Sequence, residues 1–265
     1  MTQRALDALR SESDRLVELA ATFTPAEWEA PSGCTGWRVQ DVVCHMGCVF
    51  HSISDPATIE SGPPDDVEAA AEIPVQARRA WTPDQVVEYY RSWASRGFET
   101  LAGMQQPPAA EMEVPLGNLG THPLHLLANA LVFDHYCHIR HDIGATIERA
   151  AAQPRDEEAL HETRVWMLAG LPQMCATQLR DVVTAPVGLV LEGPGGGSWV
   201  IEVPGDSRLC QVTPGSPSTA AATLTSSVHD FVSWGTRRTS WRDGSVTISG
   251  DSELAGSVAD AINVI

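Results

Sequence analysis

Apolar residues recur at helical spacing through the first two-thirds of the chain, and that pattern stops near Pro186. Leu6, Leu9, Leu16, Val17 and Leu19 make an amphipathic helix over Arg4–Ala21. "TPAEW" (Thr24–Trp28) opens another, with Thr as N-cap, Pro at the first helical position and Glu after it. "PSGCTGW" (Pro31–Trp37) reads as a turn. Val39, Val42, Val43, Met46, Val49, Phe50 and Ile53 then return to helix spacing. Ser54–Pro74 is rich in Pro and acid and reads as a loop. "TPDQVVEYYRSWASRGFETL" repeats the Thr-Pro start as a third helix, and "MQQPPAAEMEVPLGNLGTHP" is irregular. "PLHLLANALVFDHYCHIRHDIG" is a fourth helix, stopped by Gly144. A further helical segment covers 156–183. Beyond Pro186, "VGLVLEG", "GSWVIEV", "CQVT" and "SVTISG" are short Val- and Ile-rich runs between Gly/Pro turns, which is strand chemistry. "SSVHDFVSWGTR" and "SELAGSVADAINVI" read as helices among them. The expected architecture is a helical domain over 1–184 and a smaller α+β domain over 185–265.

Charge and missing residue types narrow the chemistry. The formal net charge is −17, from 17 basic and 34 acidic residues in 265. Nucleic acid and anionic membrane surfaces need a basic patch, so neither is an expected partner. No lysine occurs, which removes Schiff-base, pyridoxal-phosphate and P-loop lysine mechanisms. No apolar run is long enough to span a membrane. The six cysteines form no CxxC pair, and the charged N-terminal stretch is not a signal peptide. Reduced thiols in the cytoplasm are the expectation. Cys34, in the turn, is expected to be the most exposed of the six, with no evident base beside it.

"FDHYCHIRHDIG" (Phe133–Gly144) crowds three histidines and two aspartates into one helix. Residues four and seven apart share a helix face, which groups Asp134, His138 and His141 and sets His135 and Asp142 on another. A carboxylate and an imidazole one turn apart can reach one ion. His45, in the otherwise apolar "DVVCHMGCV", is the candidate third ligand. Three ligands with one open position make a catalytic divalent site. Imidazole and carboxylate suit zinc, and also nickel, manganese or iron(II). His141 is a candidate fourth ligand, outer partner or proton shuttle. The competing reading is a solvated polar face, with His45 a satisfied core histidine.

"PSGCTGWRVQDVVCHMG", preceded by Trp28, resembles the N-terminal signature of the mycothiol-dependent maleylpyruvate isomerase family, within the DinB-like helical bundles. Gly36, Trp37, Asp41, Val42, Val43 and His45 match its first motif, and Asp134, His138, Asp142 and Ile143 its second. "GPGGGSWVIEV", "DFVSWGTRR" and "ISGDSELAGSVADAI" resemble its sterol-carrier-like C-terminal domain. The resemblance implies a four-helix bundle holding one divalent metal, usually zinc, through His45, Asp134 and His138. Asp134 stands where the isomerases typically carry Glu, and Asp142 lies four residues after His138 instead of three.

The resemblance further implies a low-molecular-weight thiol, mycothiol or similar, as cofactor. The thiol adds to a cis double bond conjugated to a carbonyl, the adduct rotates, and the thiol leaves. An isomerase of a cis-enone dicarboxylate such as maleylpyruvate, or an S-transferase, is the expected activity. Arg237 and Arg238 are the candidates for anchoring an anionic substrate through its carboxylate. Two alternatives stand beside it. One is a hydrolase or lyase using metal-activated water, with His141 or Asp142 as base. The other is a non-catalytic protein that binds metal or a small ligand.

Overall fold

The computed structural model describes residues 3–205 and 207–265. Its contacts divide the chain into two compact units, 1–154 and 155–265.

The first unit is built on four long helical segments. Helix α1 (Gln3–Ala20) buries Leu6, Leu9, Leu16 and Leu19 along one face. The one-turn α2 (Pro25–Trp28) has the expected start: Thr24 Oγ1 accepts from Glu27 N, and the Glu27 carboxylate accepts from Thr24 N. Helix α3 (Val39–Ser54) buries nearly everything it carries in its first three turns. Helix α4 (Val67–Arg78) lies where a loop was expected up to Pro74. The alanine run after Asp66 favours helix, and Asp66 caps it by accepting from Ala69 N. Pro74 sits inside that helix and forfeits one backbone bond, which is why its composition reads as loop.

Helix α5 (Pro83–Met104) repeats the capping box through Thr82 and Gln85. It crosses α3 closely because Gly97 has no side chain; a Cβ there would overlap the Phe50 ring. A two-stranded ribbon, β1 (Glu113–Pro115) and β2 (Thr121–Pro123), crosses the segment expected to be irregular. Helix α6 (Leu127–Cys137) runs directly into a π-helical turn over His138–Ile143, ended by a bond from Gly144 N to Ile139 O. The short α7 (Glu148–Ala151) closes the unit. Helix α1 packs on α5 and α6, and α3 packs on α5.

The second unit starts thirty residues before the expected boundary at 184/185, because α8 (Glu157–Met174) and α9 (Ala176–Val182) pack onto its own elements. Pro172 lies in α8, and the helix breaks at Cys175. The sheet has the order β5-β4-β3-β6-β7. Its strands are β3 (Val187–Glu192), β4 (Gly197–Glu202), β5 (Gln211–Pro214), β6 (Ala222–Ser227) and β7 (Thr247–Gly250). Strand β6 was not expected. It runs parallel to β3 and buries Ala222, Leu224 and Ser226 on alternate positions. Helices α10 (Val228–Gly235) and α11 (Ser252–Ala261) match the helical runs read from sequence.

Candidate metal centre

His45 reaches the site from the second turn of α3, and Asp134 and His138 from one face of α6 and the turn after it. The three donor groups lie within 4.8 Å of one another. Asp134 Oδ1 is 3.3 Å from His45 Nε2 and 3.3 Å from His138 Nε2. Bonds of about 2.0–2.1 Å to one tetrahedral ion set ligand atoms about 3.3–3.4 Å apart, whereas a charge-assisted hydrogen bond would be about 2.7–2.9 Å. The spacing fits a shared cation better than an ion pair. Two buried polar atoms in the cluster, Asp134 Oδ2 and His45 Nδ1, have no hydrogen-bond partner. A carboxylate oxygen left in that state is costly unless a positive charge compensates it. The donor set therefore fits a divalent ion. All three side chains keep some exposure, between 11% and 19%, so the place between them is reachable.

The opposite edge of His138 is different. Its Nδ1–H donates to Asp142 Oδ2 at 2.7 Å, a true hydrogen bond. Asp142 was expected on another face with His135. Instead Asp134, His138 and Asp142, each four residues apart, form one stripe of carboxylate, imidazole, carboxylate. An outer carboxylate of this kind fixes which ring nitrogen carries the proton and leaves Nε2 for a metal. His141 joins neither group; its ring faces Tyr136 at 6.5 Å between centroids. His135 is fully buried and bonded to Tyr90 and to Leu131 O, so it belongs to the core.

Burial raises the cost of charge at both central ligands, and their mutual attraction more than reverses it. Asp134 sits well below the usual carboxylate range because the His138 charge and the close polar contacts of His138 and His45 outweigh desolvation. His138 sits well above the usual imidazole range, since Asp134, then Asp142 and Cys34, overcome the same penalty.

The turn Pro31–Trp37 is docked against this site. Gly33 N donates to Asp142 O at 2.9 Å. A Cβ on Gly33 would stand 2.7 Å from Asp142 Oδ1 and 3.0 Å from Asp142 Cα, so only glycine allows the approach. The docking carries Cys34 Sγ to 3.8 Å from His138 Nδ1. Cys34 is half-buried while the other five cysteines are buried, as the turn led one to expect. Its neighbour His138 could not be read from the sequence. Trp37 flanks His45 at 5.1 Å between ring centroids. A cavity of about 370 Å³ opens here, walled by Pro31, Gly33, Cys34, Thr35, Trp37 and Arg38.

Arg237 and Arg238 lie in the second unit, just past α10. Arg237 takes a left-handed conformation (φ 58°) that ends the helix. Its guanidinium donates to the carbonyls of Ile262 and Asp260, tying down the chain's last residues.

A family model described as the mycothiol maleylpyruvate isomerase N-terminal domain matches residues 9–144, which contain all three converging side chains. The chain belongs to the mycothiol maleylpyruvate isomerase family. It is a family of enzymes. Two solved structures share the fold over almost the whole length. The crystal structure of the mycothiol-dependent maleylpyruvate isomerase superposes with a TM-score of 0.54 at 16% identity, covering 94% of this chain and 96% of that one. A histidine-to-alanine mutant of the isomerase gives 0.53 at 15% identity with the same coverage. No curated protein matches the sequence. No helix among the described residues is long and apolar enough to cross a membrane.

Proposed function

We propose that this member of the family is a thiol-dependent isomerase or S-transferase acting on a small anionic substrate, with a divalent cation, zinc first, held by His45, Asp134 and His138. The observation that carries the reading is the pair of 3.3 Å separations radiating from Asp134 Oδ1, beside an Asp134 oxygen that no hydrogen bond satisfies. When bound, such an ion supplies a Lewis acid at which a low-molecular-weight thiol ionises at neutral pH and a carbonyl is polarised. The thiol is mycothiol or a close equivalent, as the family name implies. A cis-enone dicarboxylate of the maleylpyruvate kind is the substrate class.

The chain's own residues do the rest. Asp134 contributes the negative charge. Asp142 holds the His138 proton on Nδ1 and keeps the ring oriented. Trp37 covers one flank of His45 and also lines the cavity formed by the Pro31–Trp37 turn. His141, one turn along, stays the candidate for moving a proton.

Metal analysis of the full-length protein should find one divalent ion per chain, lost in Asp134→Ala and in His138→Ala. Conversion of the cis substrate should require added mycothiol. A preparation that turns over without any thiol, or that never takes up zinc, would overturn the reading. Arg238→Ala, with KM raised and kcat kept, would support the carboxylate-anchoring role of the arginine pair.

A further inference from the structure

His138 meets a second set of donors along its other edge. Cys34 Sγ, His138 Nδ1 and an Asp142 carboxylate oxygen all lie within 4.8 Å of one another. Sulfur and nitrogen are 3.8 Å apart. A thiolate at about 2.3 Å and an imidazole at about 2.0–2.1 Å from one tetrahedral ion would be about 3.5–3.6 Å apart, so the sulfur is nearly in place. The 2.7 Å between His138 Nδ1 and Asp142 Oδ2 is a hydrogen-bond distance; an ion in place of that proton needs about 3.3 Å, so the Asp142 oxygen draws back by about 0.6 Å on binding. The arrangement does not suit a cysteine nucleophile with a His–Asp relay, because sulfur and carboxylate address the same ring nitrogen. Three donors of different type converging on one point suit a cation instead, and sulfur selects a soft one. Cys34 lies on the cavity wall and is half-exposed, so an ion can arrive from solvent.

We propose that Cys34, His138 and Asp142 form a second cation position, for a thiophilic divalent ion, on the opposite edge of the imidazole that His45 and Asp134 face. On binding with the first position empty, the Cys34 thiol and the Nδ1–H of the His138 imidazolium each release a proton to solvent, Nε2 keeps its own so that the ring is neutral, and sulfur, nitrogen and carboxylate oxygen bond to the ion; the two positions therefore use His138 in turn, one ion at a time. Thiophilic metals then act on this enzyme through Cys34 and not through His45.

Cadmium chloride titrated into the full-length protein, free of other metal, tests this, read by the ultraviolet thiolate-to-cadmium charge-transfer band. The band should appear in the wild type and in His45→Ala, and be absent in Cys34→Ser, which changes one atom in a half-exposed turn. Asp142→Asn should weaken cadmium binding by about ten-fold or more. Cys34→Ser should keep the zinc content of the wild type. No band at all, or a band that survives Cys34→Ser, would overturn the proposal. So would a band lost in His45→Ala, or zinc lost with Cys34, because either would make the sulfur a ligand of the first cation. A chain that shows the Cys34 band yet never takes up zinc would sink the reading of the first position and leave this one standing.

Discussion

Two buried carboxylates in the helical unit meet cations in opposite ways. Glu12 on α1 faces Arg140 in the π-helical turn, and both side chains are fully buried. The pair is bidentate, at 2.7 and 2.9 Å, with Arg15 at 2.5 Å on one Glu12 oxygen. Arg140 also donates from Nε to Pro154 O and stacks 3.9 Å over the Tyr136 ring. Both Glu12 oxygens are used, at hydrogen-bond distance. Asp134, six residues before Arg140, has the His45 and His138 contacts on one oxygen at 3.3 Å, and on the other no hydrogen bond, with His135 Nδ1 3.6 Å away. The first arrangement is complete as it stands, so its work is structural. The second is spaced for an occupant that the protein itself does not supply.

The comparison breaks first on stability. Arg140→Ala leaves a buried Glu12 with Arg15 on one oxygen and nothing from Arg140 on the other, and should cost up to about 3–5 kcal/mol in urea unfolding. Replacing both partners by apolar residues of similar volume should recover most of that loss. Asp134→Ala should also destabilise the metal-free protein, because His138 loses the charge that faces it, but by less than Arg140→Ala, since Asp142 still holds the ring and the site keeps some exposure. Zinc then separates the two sites. At a free concentration about a hundred times its dissociation constant, it should stabilise the wild type by about 2.7 kcal/mol and Asp134→Ala not at all. If Asp134→Ala destabilised the metal-free chain as severely as Arg140→Ala, both carboxylates would be structural.

The Asp134 half of this contrast was legible in the sequence, and the Glu12–Arg140 half was not. Thr24 and Thr82 announced their helices through local capping chemistry, which needs no tertiary context. His45 stood out because an apolar helix has no evident use for it. Helix α4 was hidden by Pro74, whose local cost is overridden by the Asp66 cap and by packing of α4 on α3. Strand β6 was hidden because "ATLTSS" alternates small residues that bury little area, and its place comes from pairing with β3 and β7. The domain boundary was displaced because helical periodicity says nothing about which neighbour a helix packs on. Asp142 was assigned to the wrong face from its spacing to His135, although its four-residue spacing to His138 was there to be used. Gly33 and Cys34 needed the folded chain, since their partner lies more than a hundred residues away.

A smaller effect sharpens what the Asp142 bond contributes. Asp142→Asn keeps a hydrogen-bond acceptor but removes the charge beside His138. It should lower zinc affinity by about ten-fold, and so reduce zinc-induced stabilisation by about 1.4 kcal/mol at limiting metal, without emptying the site. Equal loss in Asp142→Asn and Asp134→Ala would mean that Asp142 ligates the first cation directly.

The smallest effect belongs to a third kind of carboxylate, one at the surface. Glu27 pairs with Arg149 through both oxygens and is lowered to about 2 by that hydrogen bond and by the capping bond from Thr24. A depressed native value means the unfolded chain takes up the proton first as pH falls. The stabilisation is complete above the ordinary value of 4.5 and disappears as pH falls through about 2. Water and salt screen so exposed a pair, so its contribution is small despite the large displacement. Glu27→Gln should therefore flatten the acid limb of the stability curve slightly between these limits and shift it by a constant amount above them. Acid limbs that run parallel for wild type and variant would show that the Arg149 contact does not outlive solvation. A near-complete hydrogen-bond set would then count for stability only where, as at Glu12, the solvent is excluded.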